Sequence, residues 1–254
     1  MNTAVTRIDE MARALRNAWG GAPVRVGGMD GPSNVLEAYA VQERVLHELS
    51  AGRRATAWKV SPVSDGADPV ASPVPPQGVH ASPATISADE RILLGVECEI
   101  AFRFGRAPRA DFASFDLGLD GVEEALVLIE LCETRLADWA EAPALWRVAD
   151  FQSHGAFVLG SGTRDWRSLD YARQEAQLRV NGRPVARAVG GHPTRELPAM
   201  VAWAVRHCAR RGMPLQAGDV VTTGSWTGLT AVMPVEEIVA AFPGIGEARL
   251  RLEH

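Results

Sequence analysis

An α+β fold is predicted for this chain, on two observations. Helical periodicity dominates the first fifty residues and returns once, over 196 to 211. Beyond Leu93 the pattern turns mainly to strand-like runs. With 254 residues and 46% hydrophobic content, the chain can build one large domain, or a main domain with a small lobe. The organisation expected is an N-terminal helical lobe over 1–60 and a catalytic β-rich domain over 61–254, with no internal repeat and no dividing linker.

The first helix is predicted over 4 to 18, where Val5, Ile8, Met11, Ala12 and Leu15 recur at three- and four-residue steps and Gly20-Gly21 ends the run. Asn34 with Glu37 three residues on forms a cap for a second helix, striped by Val35, Ala38, Tyr39, Gln42, Val45, Leu46 and Leu49. Gln42 interrupts that stripe and is expected at its watery edge, since a buried amide needs partners. Prolines at 62, 69, 73, 75, 76 and 83 predict a long loop over 61 to 83, read as part of a Pro-rich lid over 61–90, because neither helix nor central strand can run through them. Strands follow at 93 to 104, within 125 to 134, at 155 to 160, and at 174 to 180. An Asn181-Gly182 turn then leads into 184 to 189 as a hairpin. The helix over 196 to 211 is stopped by Gly212, and strands at 219 to 223, 230 to 239 and 247 to 252 complete the sheet.

A net charge of -5 disfavours nucleic acid and anionic membrane as partners, which reward concentrated Lys and Arg. Cys98, Cys132 and Cys208 form no Cys-x-x-Cys pair, so a reducing cytoplasm is expected. Charged residues break up the N-terminal segment and no later run could span a bilayer, so a soluble, unprocessed protein is expected. The six histidines show no metal-ligand pair at helical spacing, and no Gly-x-Ser-x-Gly elbow is present, so zinc and serine-triad chemistry recede.

In Gly95-Val-Glu97-Cys-Glu99-Ile-Ala-Phe102, alternation sends Val96, Cys98, Ile100 and Phe102 to one face of a strand and Glu97 with Glu99 to the other, about 7 Å apart at Cα. Like charges so placed are costly unless water or a hard cation such as Mg²⁺ or Mn²⁺ neutralises them. A solvent-facing strand edge and a metal site both satisfy that condition. Glu130 interrupts the apolar run Leu126-Val-Leu-Ile-Glu130-Leu-Cys132, where a buried carboxylate needs a partner, either a cation or an arginine such as Arg135. Lys59 is the only lysine among 26 basic residues, and stands either as a proton donor and enolate stabiliser or as a salt-bridged structural lysine. Thr222-Thr223-Gly224-Ser225-Trp226-Thr-Gly228 offers hydroxyls and close backbone approach, suited to an anionic ligand or to an ordinary turn.

Taken together, Trp58-Lys59-Val60, Gly95–Phe102, Glu130-Leu-Cys-Glu-Thr-Arg135-Leu-Ala-Asp138-Trp139, Ser153-His-Gly155-Ala-Phe-Val-Leu-Gly160, Gly191-His192-Pro193 and Gly218–Ser225 resemble the 2-oxopent-4-enoate hydratase and 4-oxalocrotonate decarboxylase family, within the fumarylacetoacetate hydrolase superfamily. The resemblance runs from about residue 33 to the end. It implies a mixed β-sheet rolled into a barrel-like sandwich behind the helical lobe, and Glu97, Glu99 and Glu130 as ligands of Mg²⁺ or Mn²⁺. It further implies that Lys59 faces the substrate, that Thr223, Gly224 and Ser225 line the pocket, and that Ser153 and Asp138 lie nearby. The implied activity is a metal-dependent lyase, either hydrating a 2-hydroxy-2,4-dienoate or decarboxylating a vinylogous 2-oxo-diacid, in a cytoplasmic homo-oligomer with only a small-molecule acid as partner. Two rival readings are an acylpyruvate C–C hydrolase using His80, and an inactive structural partner of a related subunit. After Lys59 the chain reads Ser61-Pro62-Val63-Ser64 where relatives read Gly-Leu-Thr-Ser, and Glu133 replaces a common aspartate.

Overall fold

The computed structural model describes residues 3–62, 68–89, 91–111, 118–194 and 196–254. Thr3–Ala18 forms α1 and Val35–Leu49 forms α2. The predicted cap is in place: the Glu37 amide donates to Asn34 Oδ1 at 3.0 Å, and the Glu37 carboxylate accepts from Ser33 N at 2.8 Å and from Arg7, which ties the two helices together. Among the described residues α3 follows at Ala144–Ala149 and α4 at Leu197–Arg210. Among the described residues no helix is long and apolar enough to cross a membrane.

Among the described residues thirteen strands divide between two mixed sheets. The first contains β1 (Ala57–Ser61), β2 (Val70–Val74), β3 (Val79–Ala81), β5 (Gly95–Phe104), β6 (Val122–Cys132), β7 (His154–Thr163), β10 (Val220–Ser225) and β11 (Thr230–Ala231), in the order β2-β1-β10-β5-β6-β7-β3, with β11 also paired to β5. The second runs β4 (Ala84–Ser87), β13 (Gly246–Glu253), β12 (Glu237–Phe242), β8 (Glu175–Val180), β9 (Arg183–Val189). β1 with β10, β3 with β7 and β4 with β13 run parallel, and the remaining pairs are antiparallel. The sheets pack face to face, β13 against β6 and β7. Val96, Cys98, Ile100 and Phe102 of β5 meet Ile238, Ala240 and Phe242 of β12 and Leu250 and Leu252 of β13 in one core. The α+β class is as read from the sequence.

Three local expectations are corrected. The Pro-rich stretch is largely strand: β2, β3 and β4 each lie at a sheet edge, where ladder hydrogen bonds are needed on one side only, so Pro73 fits opposite Trp58. Residues 63–67 of the expected lid, and residue 90, lie outside the described residues. Gln42 is buried rather than at the watery edge, because its Nε2 donates to Ser72 Oγ at 2.8 Å and to the Val148 carbonyl, joining α2 to β2 and α3. The strand expected over 230 to 239 splits into β11 and β12 around Pro234 and a left-handed Val235, φ 64°.

The boundary expected at residue 60 also falls differently. It cuts through β1, an interior strand of the first sheet, and Met11, Leu15, Val41 and Val45 of the helices share one continuous core with both sheets. The helical lobe therefore ends before Ala57 and packs as part of the main body.

Candidate metal centre and active site

Register decides which acids meet. In the β5–β6 ladder Glu97 stands directly opposite Glu130, and Glu99 opposite Leu128. Alternation then places all three carboxylates on the sheet face opposite the core, beside Ala57, Ala101, Leu126, Leu128 and Val220. β1 carries Lys59 on that same face, and its Nζ lies 2.8 Å from Glu130 Oε2 and 3.9 Å from Glu97 Oε2, while donating to the Gln152 carbonyl at 3.0 Å. One donor atom each from Glu97, Glu130 and Cys132 lie within 4.8 Å of one another. Glu99 is wholly buried; its Oε2 accepts from Gly224 N at 3.3 Å and its Oε1 has no protein partner.

Burial pushes the Glu130 carboxyl up to about 7; Lys59 opposes that shift, and the nearby Glu97 adds to it. Burial, then Glu130 and Glu97, hold Glu99 well above the ordinary carboxylate range. Burial works against the charge on Lys59, but Glu130, Glu97 and Glu99 outweigh it and keep the ammonium protonated. Burial likewise raises the Cys132 thiol far above its usual value, so it stands as a neutral neighbour of an oxygen donor set. Fully ionised, three carboxylates against one ammonium would carry two uncompensated negative charges, which is why Glu130 and Glu99 hold protons more tightly than usual, and one oxygen of Glu99 has no protein partner. A divalent cation with oxygen preference fits that set in charge and chemistry.

Since Glu130 holds its proton up to about pH 7 in the metal-free protein, a cation must displace that proton to bind. Mg²⁺ affinity, followed by calorimetry, is expected to fall by about tenfold or more per pH unit below that value, since Glu99 also holds its proton more tightly than usual. Affinity independent of pH across this range would remove Glu130 from the cation site.

Two irregular segments shape the rest of the site. Between Thr222 and Ser225 the β10–β5 register shifts, with Gly224 at φ 96°, a conformation that a side chain would strain. Gly224 and Ser225 thereby line a cavity of about 680 Å³ that also contains Lys59, Glu97, Cys132 and Ser153. Thr223 does not present its hydroxyl there: Oγ1 donates to the Ile100 carbonyl at 3.0 Å, and its own carbonyl accepts from His192 Nε2 at 2.7 Å. Thr223 does not line the cavity, because alternation places its side chain on the same face of the sheet as Val221, which lies in the main core, and so away from the acids.

The second segment is Phe151-Gln152-Ser153, three consecutive non-glycine residues at φ 55°, 55° and 58°. Left-handed backbone of this kind costs on the order of 1–2 kcal/mol per residue and persists only where its surroundings hold it. Here Asp150 is anchored by Arg135, the Ser153 amide donates to the Asp150 carbonyl at 3.0 Å, and Gln152 Nε2 donates to Ser72 Oγ at 2.8 Å. The strain sets the Gln152 carbonyl on Lys59 and places Ser153 at the cavity, its Oγ accepting from Trp139 Nε1 at 2.8 Å.

Asp138 is a correction: its side chain is half exposed, 3.6 Å from Arg25, and does not line the cavity, whereas the adjacent Trp139 does. Arg135, the alternative partner considered for Glu130, instead pairs with Asp150 at 2.5 Å and lies over the Trp19 ring. His80 on β3 lines a different cavity of about 320 Å³ with Trp19, Arg91 and Arg135. Sequence reasoning missed His154, which is wholly buried with Nδ1 3.2 Å from Glu130 Oε1. Burial, then Lys59 and Arg135, keep its pKa well below the ordinary value, so the ring is neutral and its Nδ1–H faces the carboxylate. Its one legible signal was its place in Ser153-His-Gly155.

Residues 47–253 match the family model described as fumarylacetoacetate (FAA) hydrolase C-terminal. The chain is 30% identical to 2-keto-4-pentenoate hydratase of Paraburkholderia phymatum, with 96% of each chain covered. It is 29% identical to the enzyme of the same name from Paraburkholderia xenovorans, over 87% of this chain and 84% of that one. In fold it is similar to 4-oxalocrotonate decarboxylase from Pseudomonas putida G7 complexed with magnesium and adipate, with a TM-score of 0.80, 17% identity and 99% of each chain covered.

Proposed function

The chain belongs to the fumarylacetoacetate hydrolase family, and from that premise we propose that it is a metal-dependent lyase acting on a short, conjugated 2-oxo or 2-hydroxy acid. The reaction is hydration of a 2-hydroxy-2,4-dienoate or decarboxylation of a vinylogous 2-oxo-diacid. The observation that carries this reading is the convergence of Glu97 and Glu130 on Lys59, with an orphaned Glu99 oxygen beside them, in a chain so similar to the hydratases.

Glu97, Glu99 and Glu130 would hold Mg²⁺ or Mn²⁺, with His154 fixing the orientation of Glu130. When bound, the cation supplies Lewis-acid polarisation of a 2-oxo acid. Lys59 Nζ, protonated and aimed by the Gln152 carbonyl, delivers a proton to the conjugated chain, and the proton given up by the substrate's 2-hydroxyl returns to Lys59 by way of solvent, so the ammonium is restored. Water then adds at C4 to give a 4-hydroxy-2-oxo acid; with a diacid, loss of CO₂ leaves its electron pair on the chain and the same proton position quenches it. Ser225 Oγ and the left-handed Ser153 border the space in which the chain must lie. Cys98, Cys132 and Cys208, all free and buried, suit the cytoplasmic location included in this reading, which also takes the protein as a homo-oligomer.

With Mg²⁺ present, ultraviolet absorbance is expected to fall for a 2-hydroxy-2,4-dienoate or a vinylogous oxo-diacid, to stay constant for an acylpyruvate, and to stay constant for all three after chelation. Consumption of the acylpyruvate alone would favour the hydrolase reading, which His80, lying in another cavity, does not support. Inertness toward all three would favour the structural-partner reading.

A further inference from the structure

The cavity holds two cationic side chains in unequal circumstances. Lys59 is engaged by Glu130, Glu97 and the Gln152 carbonyl. Arg147, on α3, lines the same cavity and is half-buried, yet its guanidinium makes no hydrogen bond, ion pair or ring contact with any described residue. Its backbone is held firmly. The Arg147 amide donates to the Pro143 carbonyl at 3.2 Å, Trp146 on one side is buried, and Val148 on the other accepts from Gln42. The same cavity is lined by the apolar Trp139, Ala144, Val148, Val70 and Leu229 together with polar residues such as Gln152 and Ser225.

A guanidinium fork partly withdrawn from water, fixed at its base and without an acceptor among the described residues, is prepared for a planar anion, which it grips by two parallel hydrogen bonds. The three acids lie on β5 and β6, a different wall from α3. We propose that Arg147 receives a second, distal carboxylate of the substrate, so that the preferred class is a dicarboxylate whose 1-carboxylate and 2-oxygen lie at the Glu97, Glu99 and Glu130 end. This rests on the function proposed above and narrows it from short 2-oxo acids in general to diacids.

The test compares binding of adipate, a saturated six-carbon diacid, with that of hexanoate, the monoacid of equal carbon number, by calorimetry on Mg²⁺-loaded protein. Adipate is expected to bind at least about tenfold more tightly to the wild type, as a charge-assisted bidentate pair warrants. Arg147→Gln should erase that preference and Arg147→Lys should keep part of it, with thermal unfolding of each variant showing that it remains folded. Equal binding of the two acids by the wild type, or a preference that survives in Arg147→Gln, overturns the proposal. So does equal weakening of both acids in Arg147→Gln, which would assign Arg147 to the first carboxylate. Turnover separates the two claims. A diacid preference in a protein inert toward dienoates and oxo-diacids leaves Arg147's role standing and removes the reaction. Dienoate turnover without the preference does the reverse.

Discussion

Glu99→Gln is expected to abolish turnover and Mg²⁺ binding while making the metal-free protein more stable. Glu99 is wholly buried, has an oxygen without a protein partner, and is held well above the ordinary carboxylate range by burial and by Glu130 and Glu97. Gln keeps the shape and the acceptor that meets Gly224 N, but removes a charge that only a cation would offset. A loss of about a thousandfold or more in kcat/KM is expected, because Lewis-acid assistance supplies several kcal/mol of transition-state stabilisation. Stability of the metal-free variant should rise by about 1–2 kcal/mol at neutral pH, measured by denaturant unfolding in chelator.

The pH dependence gives that second readout its sign. Glu130 in the folded chain holds its proton up to about 7, above the ordinary 4.5, so between those values the folded state binds more protons than the unfolded one. The metal-free wild type should therefore be more stable at the acid end of that window and lose stability as pH rises through it. Glu130→Gln should weaken the dependence, leaving the part that Glu99 contributes. A Glu99→Gln protein that keeps its Mg²⁺ affinity and turnover within about threefold would dismiss the carboxylate cluster as the metal centre.

Lys59→Met is the second large effect, and it acts through both stability and chemistry. Removing the ammonium leaves Glu130, Glu99 and Glu97 repelling one another with no protein cation within salt-bridge distance of Glu97 or Glu130 among the described residues, His154 being neutral. Breaking a buried ion pair in this one-sided way costs about 3–5 kcal/mol. Turnover should fall about a hundredfold to ten-thousandfold, the range for loss of a positioned proton donor. Lys59→Arg is expected to fail as a rescue, since a guanidinium is larger and does not give up its proton. The double variant Lys59→Met/Glu130→Gln separates the roles, for it should recover much of the stability, read by unfolding, and none of the turnover. Recovery of turnover in that double variant would reduce Lys59 to a structural counter-charge.

Neither effect could have been sized from the chain alone, although its ingredients were visible there. The Glu97-Cys98-Glu99 alternation announced that two acids share a strand face, and Glu130 in an apolar run announced a carboxylate in need of a partner. Which partner it takes was open between a cation and Arg135, and Arg135 proved committed to Asp150. His154 looked like one histidine of six until the β6–β7 pairing brought it to Glu130 Oε1. Asp138 was expected near the pocket, but the chain at that point turns the aspartate toward Arg25 and the adjacent Trp139 to the cavity.

By itself the sequence determined what depends on neighbours a few residues apart. That covers α1 and α2 with the Asn34 cap, the Asn181-Gly182 hairpin with both residues left-handed, the sidedness of β5, and the family resemblance. Tertiary structure alone decided the Glu97–Glu130 register, the seat of Lys59 two strands away from β5, the edge positions that let prolines into strands, and the burial of Gln42. Local pattern fixes which way a side chain faces within its own element. Which group it meets is set by the packing of elements far apart in the chain, where the cost of burying each charge or amide selects the arrangement in which it finds a partner.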